Sequence, residues 1–171
     1  MAKARLIPMR KLAEEIEIAA EMGRYCVIFD KNENANVFFT YKGTMKEAHK
    51  LAVSVAIGHQ TQEEAMDVLR KSLVYSMRIG DMYAINCDNL NLNFNETWSH
   101  PEILPMDEIT EFDEWREDNT YMKIVKPEEN VDLIGNKKCY IMNEKFTMVF
   151  LYRYTNDEDM VRIVENIPNS D

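Results

Sequence analysis

Apolar side chains recur along this chain at two spacings, and each spacing predicts one kind of element. Apolar residues at every third or fourth position predict amphipathic helices, whereas short continuous apolar runs predict buried strands. The helical spacing predicts helices at residues 8–22, 44–57, 61–79, 106–118 and 156–167. The continuous runs predict strands at residues 25–29, 37–41, 82–87, 121–125, 138–142 and 146–152.

Two of the predicted helices begin with the same local signal. Thr44 with Glu47, and Thr61 with Glu64, fit the Thr-x-x-Glu capping box, in which each side chain accepts a hydrogen bond from an unpaired amide at the helix start. A glycine follows each helix where a left-handed residue would end it, and these are Gly58 and Gly80.

The alternation of apolar strands with helices indicates the fold class. It predicts an α/β fold, a three-layer α/β/α sandwich whose mainly parallel sheet is covered on both faces. No internal repeat or linker interrupts the pattern, so we predict a single α/β domain over residues 1–171. Within it we expect an N-terminal helix at 8–22 and an irregular acidic insertion at 95–120.

The negative charge of the chain limits the kinds of molecule that could bind to it. Its 171 residues include 30 acidic and 20 basic side chains, for a formal net charge of −10. Such a surface repels the phosphates of nucleic acids and of anionic membranes. We therefore expect no nucleic acid and no membrane partner, and we expect a protein partner with a basic surface.

Cysteine use and the absence of a long apolar run predict where the protein resides. The three cysteines, Cys26, Cys87 and Cys139, are odd in number, far apart and inside predicted strands, which is typical of reduced thiols. The first residues lead into no apolar run that resembles a signal peptide, and no segment reaches the length of a membrane span. We expect a cytoplasmic protein.

A nucleotide site would need a glycine-rich turn whose amides surround phosphate before a helix begins. The nearest candidate is Lys42, Gly43 and Thr44, between a predicted strand and a predicted helix. Asp88 ends the strand at 82–87, where a carboxylate could hold magnesium, although Asn89 follows instead of an acidic residue. A turn-forming Asp-Asn pair is the alternative interpretation of Asp88.

The histidines indicate neither a metal site nor a catalytic site. His49, His59 and His100 are scattered, and none has a partner at the spacings typical of zinc ligands. A Cys–His pair that meets only in space is an open alternative. We expect no catalytic residue, no metal and no cofactor.

Three stretches together resemble a known family. They are Cys-Val-Ile-Phe-Asp at 26–30 followed by residues 34–36, the helix at 69–80 with the strand at 82–88, and residues 139–142 with the run at 146–156. They resemble the degenerate AAA-type domains near the C-terminal end of the dynein motor ring, which retain a P-loop NTPase-like α/β fold without working nucleotide chemistry.

The resemblance implies roles for two strands and a setting for the protein. Residues 83–88 would correspond to the acidic strand that normally polarises water, and the run at 146–156 would end in a polar sensor residue, Thr155 or Asn156. The matched region would begin beyond the phosphate loop. The resemblance also implies an AAA-like remnant in a cytoskeletal or ciliary (axonemal) assembly.

Three functions are compatible with these observations. The first is a non-catalytic protein-interaction or scaffold module, with Trp98, Met106 and Trp115 as anchors for a partner; covering the core is the alternative role of these three side chains. The second is a nucleotide-binding protein or weak ATPase. Its atypical phosphate site would use Lys42, Gly43, Thr44, Asp88 and Thr155. The third is a small-molecule enzyme whose site is assembled from distant residues.

Overall fold

Four apolar strands form one parallel sheet in the computed structural model, which describes residues 4–153 and 156–170. The strands are β1 (Cys26–Phe29), β2 (Thr44–Glu47), β3 (Met82–Asp88) and β4 (Thr147–Tyr152). Their order across the sheet is β1-β4-β3-β2, and every neighbouring pair is parallel. The predicted α/β fold with a parallel sheet is confirmed.

Helices of unequal length precede, connect and follow these strands. The longer ones are α1 (Leu12–Glu21), α2 (Asn34–Lys42), α3 (Ala48–Ala56), α4 (Gln62–Ile79) and α8 (Asp157–Glu165). Three short ones lie between β3 and β4, namely α5 (Met106–Ile109), α6 (Phe112–Trp115) and α7 (Asp118–Tyr121). Single 3-10 turns occupy Met9–Lys11, Met122–Ile124 and Pro127–Glu129.

Two apolar cores cover the two faces of the sheet, which gives the three predicted layers. Alternate residues of β4 point to opposite faces, as the pleat of a strand requires. Met148 and Phe150 enter a broad core that α4 and α8 share with the irregular segment after β3. Val149 and Leu151 enter a narrow core beneath α1 and α2, whose other members are Leu12, Ile16, Ala35, Phe39 and Ala84.

The strand order places a topological switch point between β1 and β4. The connection from β1 passes through α2, which packs in the narrow core, and crosses to β2 at the far edge. After β2, the chain forms β3 next to it and then β4 between β3 and β1. Helix α8 follows β4 and packs in the broad core. The connections after β1 and β4 leave toward opposite faces, and the carboxyl ends of strands at such a switch point are where α/β sheets commonly bind ligands.

Several predicted elements are confirmed in detail. Helix α4 begins with the expected capping box of Thr61 and Glu64 and ends at Gly80, whose φ is 75°. The Asn156 side chain accepts a hydrogen bond from the Asp159 amide and caps α8. The predicted strands at 25–29, 82–87 and 146–152 match β1, β3 and β4, and the predicted helix at 8–22 matches α1 with its preceding 3-10 turn.

The assignments around residues 37–47 were wrong. The predicted strand at 37–41 belongs to helix α2, because Ala35 and Phe39, four residues apart, are both buried against the sheet. Thr44 does not cap a helix; it begins strand β2, and its hydroxyl donates to the Asp81 carboxylate at 2.8 Å. Burial and a partner 37 positions away override the local pattern here.

The segment between β3 and β4 was also assigned wrongly. The single helix predicted at 106–118 is divided into α5 and α6, so that both Ile109 and Trp115 reach the core. The predicted strand at 121–125 is instead the last residue of α7 followed by a 3-10 turn, and the one predicted at 138–142 is irregular chain. Their apolar residues cover the broad core without joining the sheet: Ile124 is buried, and the buried Tyr140 donates its hydroxyl to the Val74 carbonyl at 2.6 Å.

A buried arginine on α4 fastens part of this irregular segment to the helix. Arg70 is 1% exposed. Its guanidinium donates to both carboxylate oxygens of Glu129, at 2.6 and 2.9 Å, to the Ile124 carbonyl at 2.8 Å and to Asp67 at 2.7 Å. We call this group the Arg70 clamp. A bidentate, charge-assisted pair of this kind fixes orientation as well as distance.

The Arg70 clamp predicts how the stability of the fold depends on pH. Burial is the largest single effect on Asp67 and Glu129 and opposes their ionisation. The hydrogen bonds and charge of Arg70 and Lys126, with Lys71 at Asp67, together outweigh it, and both pKa values are lowered. Depressed carboxyl pKa values stabilise the fold fully above the unfolded-state values of about 4. This contribution is lost as the pH falls through the folded-state values.

Replacing Arg70 with Met should therefore lower the free energy of unfolding by about 3 kcal/mol at pH 7, because two partly buried carboxylates lose their cation. The loss relative to wild type should begin to shrink below about pH 5 and should continue to shrink toward about pH 2, as wild type gives up the same stabilisation. Urea titrations across this range measure both effects. Lys71→Met, at an exposed position, is the control and should change stability by less than about 0.5 kcal/mol. If Arg70→Met lowered the free energy of unfolding by the same amount at every pH, the role given to the Arg70 clamp would be contradicted.

Candidate functional site

The carboxyl edge of the sheet is the first place to look for function, because the switch point lies there. The ends of the central strands are held together by main-chain hydrogen bonds. The Asp30 amide after β1 donates to the Tyr152 carbonyl at 2.9 Å, and the Arg153 amide after β4 donates to the Asp88 carbonyl at 2.7 Å. The three strand ends therefore form one fixed rim.

The side chain of Asp30 lies on the N-terminus of α2. One carboxylate oxygen accepts from the Ala35 amide at 2.6 Å, and the other accepts from the Asn32 amide at 3.0 Å. Glu33, just before the helix, has a left-handed backbone with φ of 58° and supplies no side-chain cap. The partial positive charge of this helix end is thus already paired with a carboxylate of the same chain.

The other helix end at the switch point also carries negative charge. Helix α8 begins with Asp157, Glu158 and Asp159 behind its Asn156 cap. Acidic residues in the first turn stabilise a helix through its dipole, and they repel an incoming phosphate. Together, α2 and α8 present carboxylates where a nucleotide site would present unpaired amides.

A second polar group lies at the end of β3. Asp88 adopts φ of 52°, and its amide donates to the Asn86 side-chain oxygen at 2.9 Å. His49, in the first turn of α3, places Nδ1 3.1 Å from the Asn86 carbonyl. A carbonyl only accepts, so Nδ1 carries the hydrogen. This geometry fits the turn-forming interpretation of Asp88.

The structure does not assemble the residues considered for the phosphate site. Lys42, Gly43 and Thr44 lie at the amino edge of the sheet, where Thr44 pairs with Tyr83. Asp88 lies five residues further along β3, which at about 3.3 Å per residue is about 16 Å away at the opposite edge. Thr155 lies outside the described residues. Gly43 also precedes a strand, so no helix N-terminus follows it.

A close backbone contact explains the glycine at position 43. A Cβ atom there would lie 2.5 Å from the Met82 carbonyl oxygen, which belongs to the backbone and cannot move aside without disturbing β3. The φ of Gly43 is −161°, an ordinary extended value, so the requirement is one of space. Gly43 allows β2 to start beside β3.

The three residues considered as partner anchors are buried. Trp98 is 4% exposed, while Met106 and Trp115 are fully buried. The Trp115 indole N–H donates to the Met77 sulfur at 3.3 Å, which satisfies its polar atom inside the broad core. The expectation that they are surface anchors is therefore wrong, and the alternative, that they cover the core, describes them.

The three cysteines differ in how exposed they are to solvent. Burial raises the pKa of Cys87 to about 12 and also raises the pKa of Cys26, so both thiols stay protonated at neutral pH. Cys139 is exposed and lies in irregular chain, contrary to the predicted strand. Among the residues that the structure describes, no group of three or more His, Cys, Asp or Glu side chains is arranged to hold a metal ion.

Residues 132–136 form a tight turn that the sequence patterns above do not single out. One oxygen of Asp132 accepts from the amides of Ile134 and Asn136, at 3.0 and 2.8 Å, and the other accepts from the Asn136 side chain at 2.7 Å. Gly135 completes the turn with φ of 89°. The composition of this stretch could have indicated the turn, because Asp, Gly and Asn within five residues are typical of turns.

A shallow cleft of about 270 Å³ lies beside the Arg70 clamp. Its walls include Asp67, Arg70 and Lys126, whose charges are paired with one another or with Glu129. Glu63, Glu64 and Glu102 also line the cleft, so the charge that it presents beyond the clamp is negative.

Comparison with protein-family models, with curated proteins and with solved structures finds no match for this chain. Within residues 4–153 and 156–170, no helix combines the length and the apolar character that crossing a bilayer requires.

The contact at Gly43 predicts a steric loss of stability on adding one methyl group. Gly43→Ala should lower the free energy of unfolding by about 3 kcal/mol, because the new Cβ forces β2 away from β3. Gly58→Ala is the matched control: its Cβ would meet no atom within 4 Å, so only its φ of 76° should cost about 1 kcal/mol. Chemical denaturation of both variants measures the difference. Equal losses would show that the approach of Met82 is not the constraint.

Proposed function

We propose that this protein is a non-catalytic protein-interaction or scaffold module. One observation carries the proposal: the Asp30 carboxylate fills the N-terminus of α2 at the switch point. An α/β domain that binds nucleotide uses such a helix end to bind phosphate. Here the charges favour a cationic partner over an anionic ligand.

A protein with a basic surface is the partner we propose for the carboxyl edge. Asp157 and Glu158 are exposed there, beside the half-buried Asp88, while the Glu33 carboxylate lies 3.9 Å from the Arg153 guanidinium. Complementary charge speeds association and selects among partners. Another part of the surface also favours a basic partner, because acidic side chains are exposed on α6 and at the start of α7. These are Asp113, Glu114 and Asp118.

We further propose that the module is a degenerate AAA-type domain of a cytoskeletal or ciliary assembly in the cytoplasm. This proposal rests on the resemblance of the sequence stretches described above. It is supported by the adjacency of β3 and β4, the strands that the resemblance assigns to the acidic and sensor positions. The main-chain hydrogen bond from Arg153 to Asp88 joins the ends of these strands.

The alternative, a nucleotide-binding protein or weak ATPase, draws support only from Asp88 at the carboxyl end of β3. Its other described candidate residues, Lys42, Gly43 and Thr44, lie at the opposite edge of the sheet.

A fluorescent nucleotide titration with magnesium tests the proposed lack of nucleotide chemistry. We expect no saturable binding by the wild-type chain and no effect of Lys42→Ala. Saturable binding with a Kd near about 1 μM, lost in Asp88→Asn but kept in Lys42→Ala, would overturn the proposal and place a nucleotide at the carboxyl edge.

Purification from the native source at low and high salt tests the proposed partner. We expect a basic protein to co-purify at low ionic strength and to dissociate as salt screens the acidic surface. Mass spectrometry identifies what remains bound. A chain that stays free of other proteins at low salt would count against a scaffold role.

A further inference from the structure

The loop at residues 131–142 presents large apolar side chains to solvent from a rigid base. Leu133 is 66% exposed, Ile134 is 85% exposed and Ile141 is 70% exposed. Such residues are seldom gathered in one short loop without a binding role, because exposed apolar patches commonly mark interaction sites.

Hydrogen bonds hold this loop in shape at its tip and at its base. The Asp132 carboxylate fixes the tip through the amides of Ile134 and Asn136. At the base, the Lys138 amide donates to the Asn130 carbonyl at 2.7 Å, and the Tyr140 amide donates to the Asn130 side chain at 3.1 Å. A preorganised loop loses little conformational freedom when a partner binds.

An open cleft of about 340 Å³ lies between this loop and the C-terminal end of α4. Leu133, Ile134 and Ile141 line it with Met142 and with Arg78 of α4. The apolar walls can receive one or two aliphatic or aromatic side chains of a partner. The loop and the cleft together form what we call the loop 131–142 surface.

The charge of this surface is opposite to that of the protein as a whole. Lys137 and Lys138 are exposed on the loop, and Arg78 lines the cleft, in a chain of net charge −10. The carboxylate of Asp132 is taken up by the turn, and hydrogen bonds from Asn136 lower its pKa. Arg78 forms no ion pair with any residue in the described part of the chain, and its guanidinium carbon lies 5.8 Å from the centre of the Tyr75 ring.

We propose that the loop 131–142 surface binds an acidic, amphipathic segment of a partner protein. Apolar side chains of that segment enter the cleft against Ile134 and Ile141, and its carboxylates pair with Arg78 and the two lysines. This surface is separate from the acidic carboxyl edge. The inference therefore does not depend on the function proposed for that edge.

Binding of a designed peptide to the full chain tests this proposal. The probe is a helical peptide of about 16 residues with Leu on one face and Glu on the other, compared with a peptide in which Lys replaces Glu. NMR chemical shifts locate the contact. Because Cys139 is the exposed cysteine within the loop, its rate of reaction with a thiol reagent gives a second readout. We expect the acidic peptide to shift resonances of residues 131–142 and to slow labelling of Cys139.

Two variants and a matched control connect the binding to the named side chains. Ile134→Ser should weaken binding about tenfold by removing an apolar contact, and Arg78→Gln should weaken it and reduce its dependence on salt. Ile57→Ser is the control, since Ile57 is 60% exposed elsewhere on the surface, and it should leave binding unchanged. All three positions are at least partly exposed, and thermal unfolding verifies that each variant remains folded.

Several results would overturn the proposal. These are no binding of the acidic peptide up to about 1 mM, equal binding of the basic peptide, or binding unaffected by Ile134→Ser. Sedimentation that shows an Ile134-dependent dimer of the chain alone would assign the surface to a second copy. Ile134-dependent attachment to vesicles containing phosphatidylserine would assign it to an anionic membrane.

Discussion

Strand β4 is the constraint on which the rest of this structure depends. It is buried along its whole length, and it lies between β1 and β3 with parallel pairing on both sides. A parallel sheet of this kind is stable only when both of its faces are covered. The chain therefore builds two cores of different size, with Val149 and Leu151 on one side and Met148 and Phe150 on the other. Helices before and after β4 then take the positions that these side chains leave open.

The two edges of the sheet are used differently as a result. At the amino edge, Gly43 allows close approach of two backbones, and Thr44 bonds to Asp81, so this edge serves packing. At the carboxyl edge, the Asp30 carboxylate joins the end of β1 to the N-terminus of α2. A position that other α/β folds use to bind ligands is here occupied by a carboxylate of the chain itself, which stabilises a turn.

Sequence patterns predicted the elements whose signals are local. The capping box at Thr61 and the buried runs of β3 and β4 were correct because their determinants lie within a few residues. The same capping motif at Thr44 failed because its hydroxyl bonds to Asp81, a partner that only the folded chain brings near. Trp98 and Trp115 looked like surface anchors because their segment lacks regular periodicity, yet that segment wraps over the broad core. The Asp30 contact depends on a left-handed residue at Glu33, which sequence does not reveal.

The Arg70 clamp has a consequence for how the chain folds. Arg70 and Glu129 are 59 positions apart, so joining them closes a long loop at an entropic cost that local helix formation does not offset. Contacts of such high sequence separation slow the search for the native state. The Asn130 residue that anchors loop 131–142 follows Glu129 directly. The base of loop 131–142 therefore takes its place against α4 when this distant contact closes.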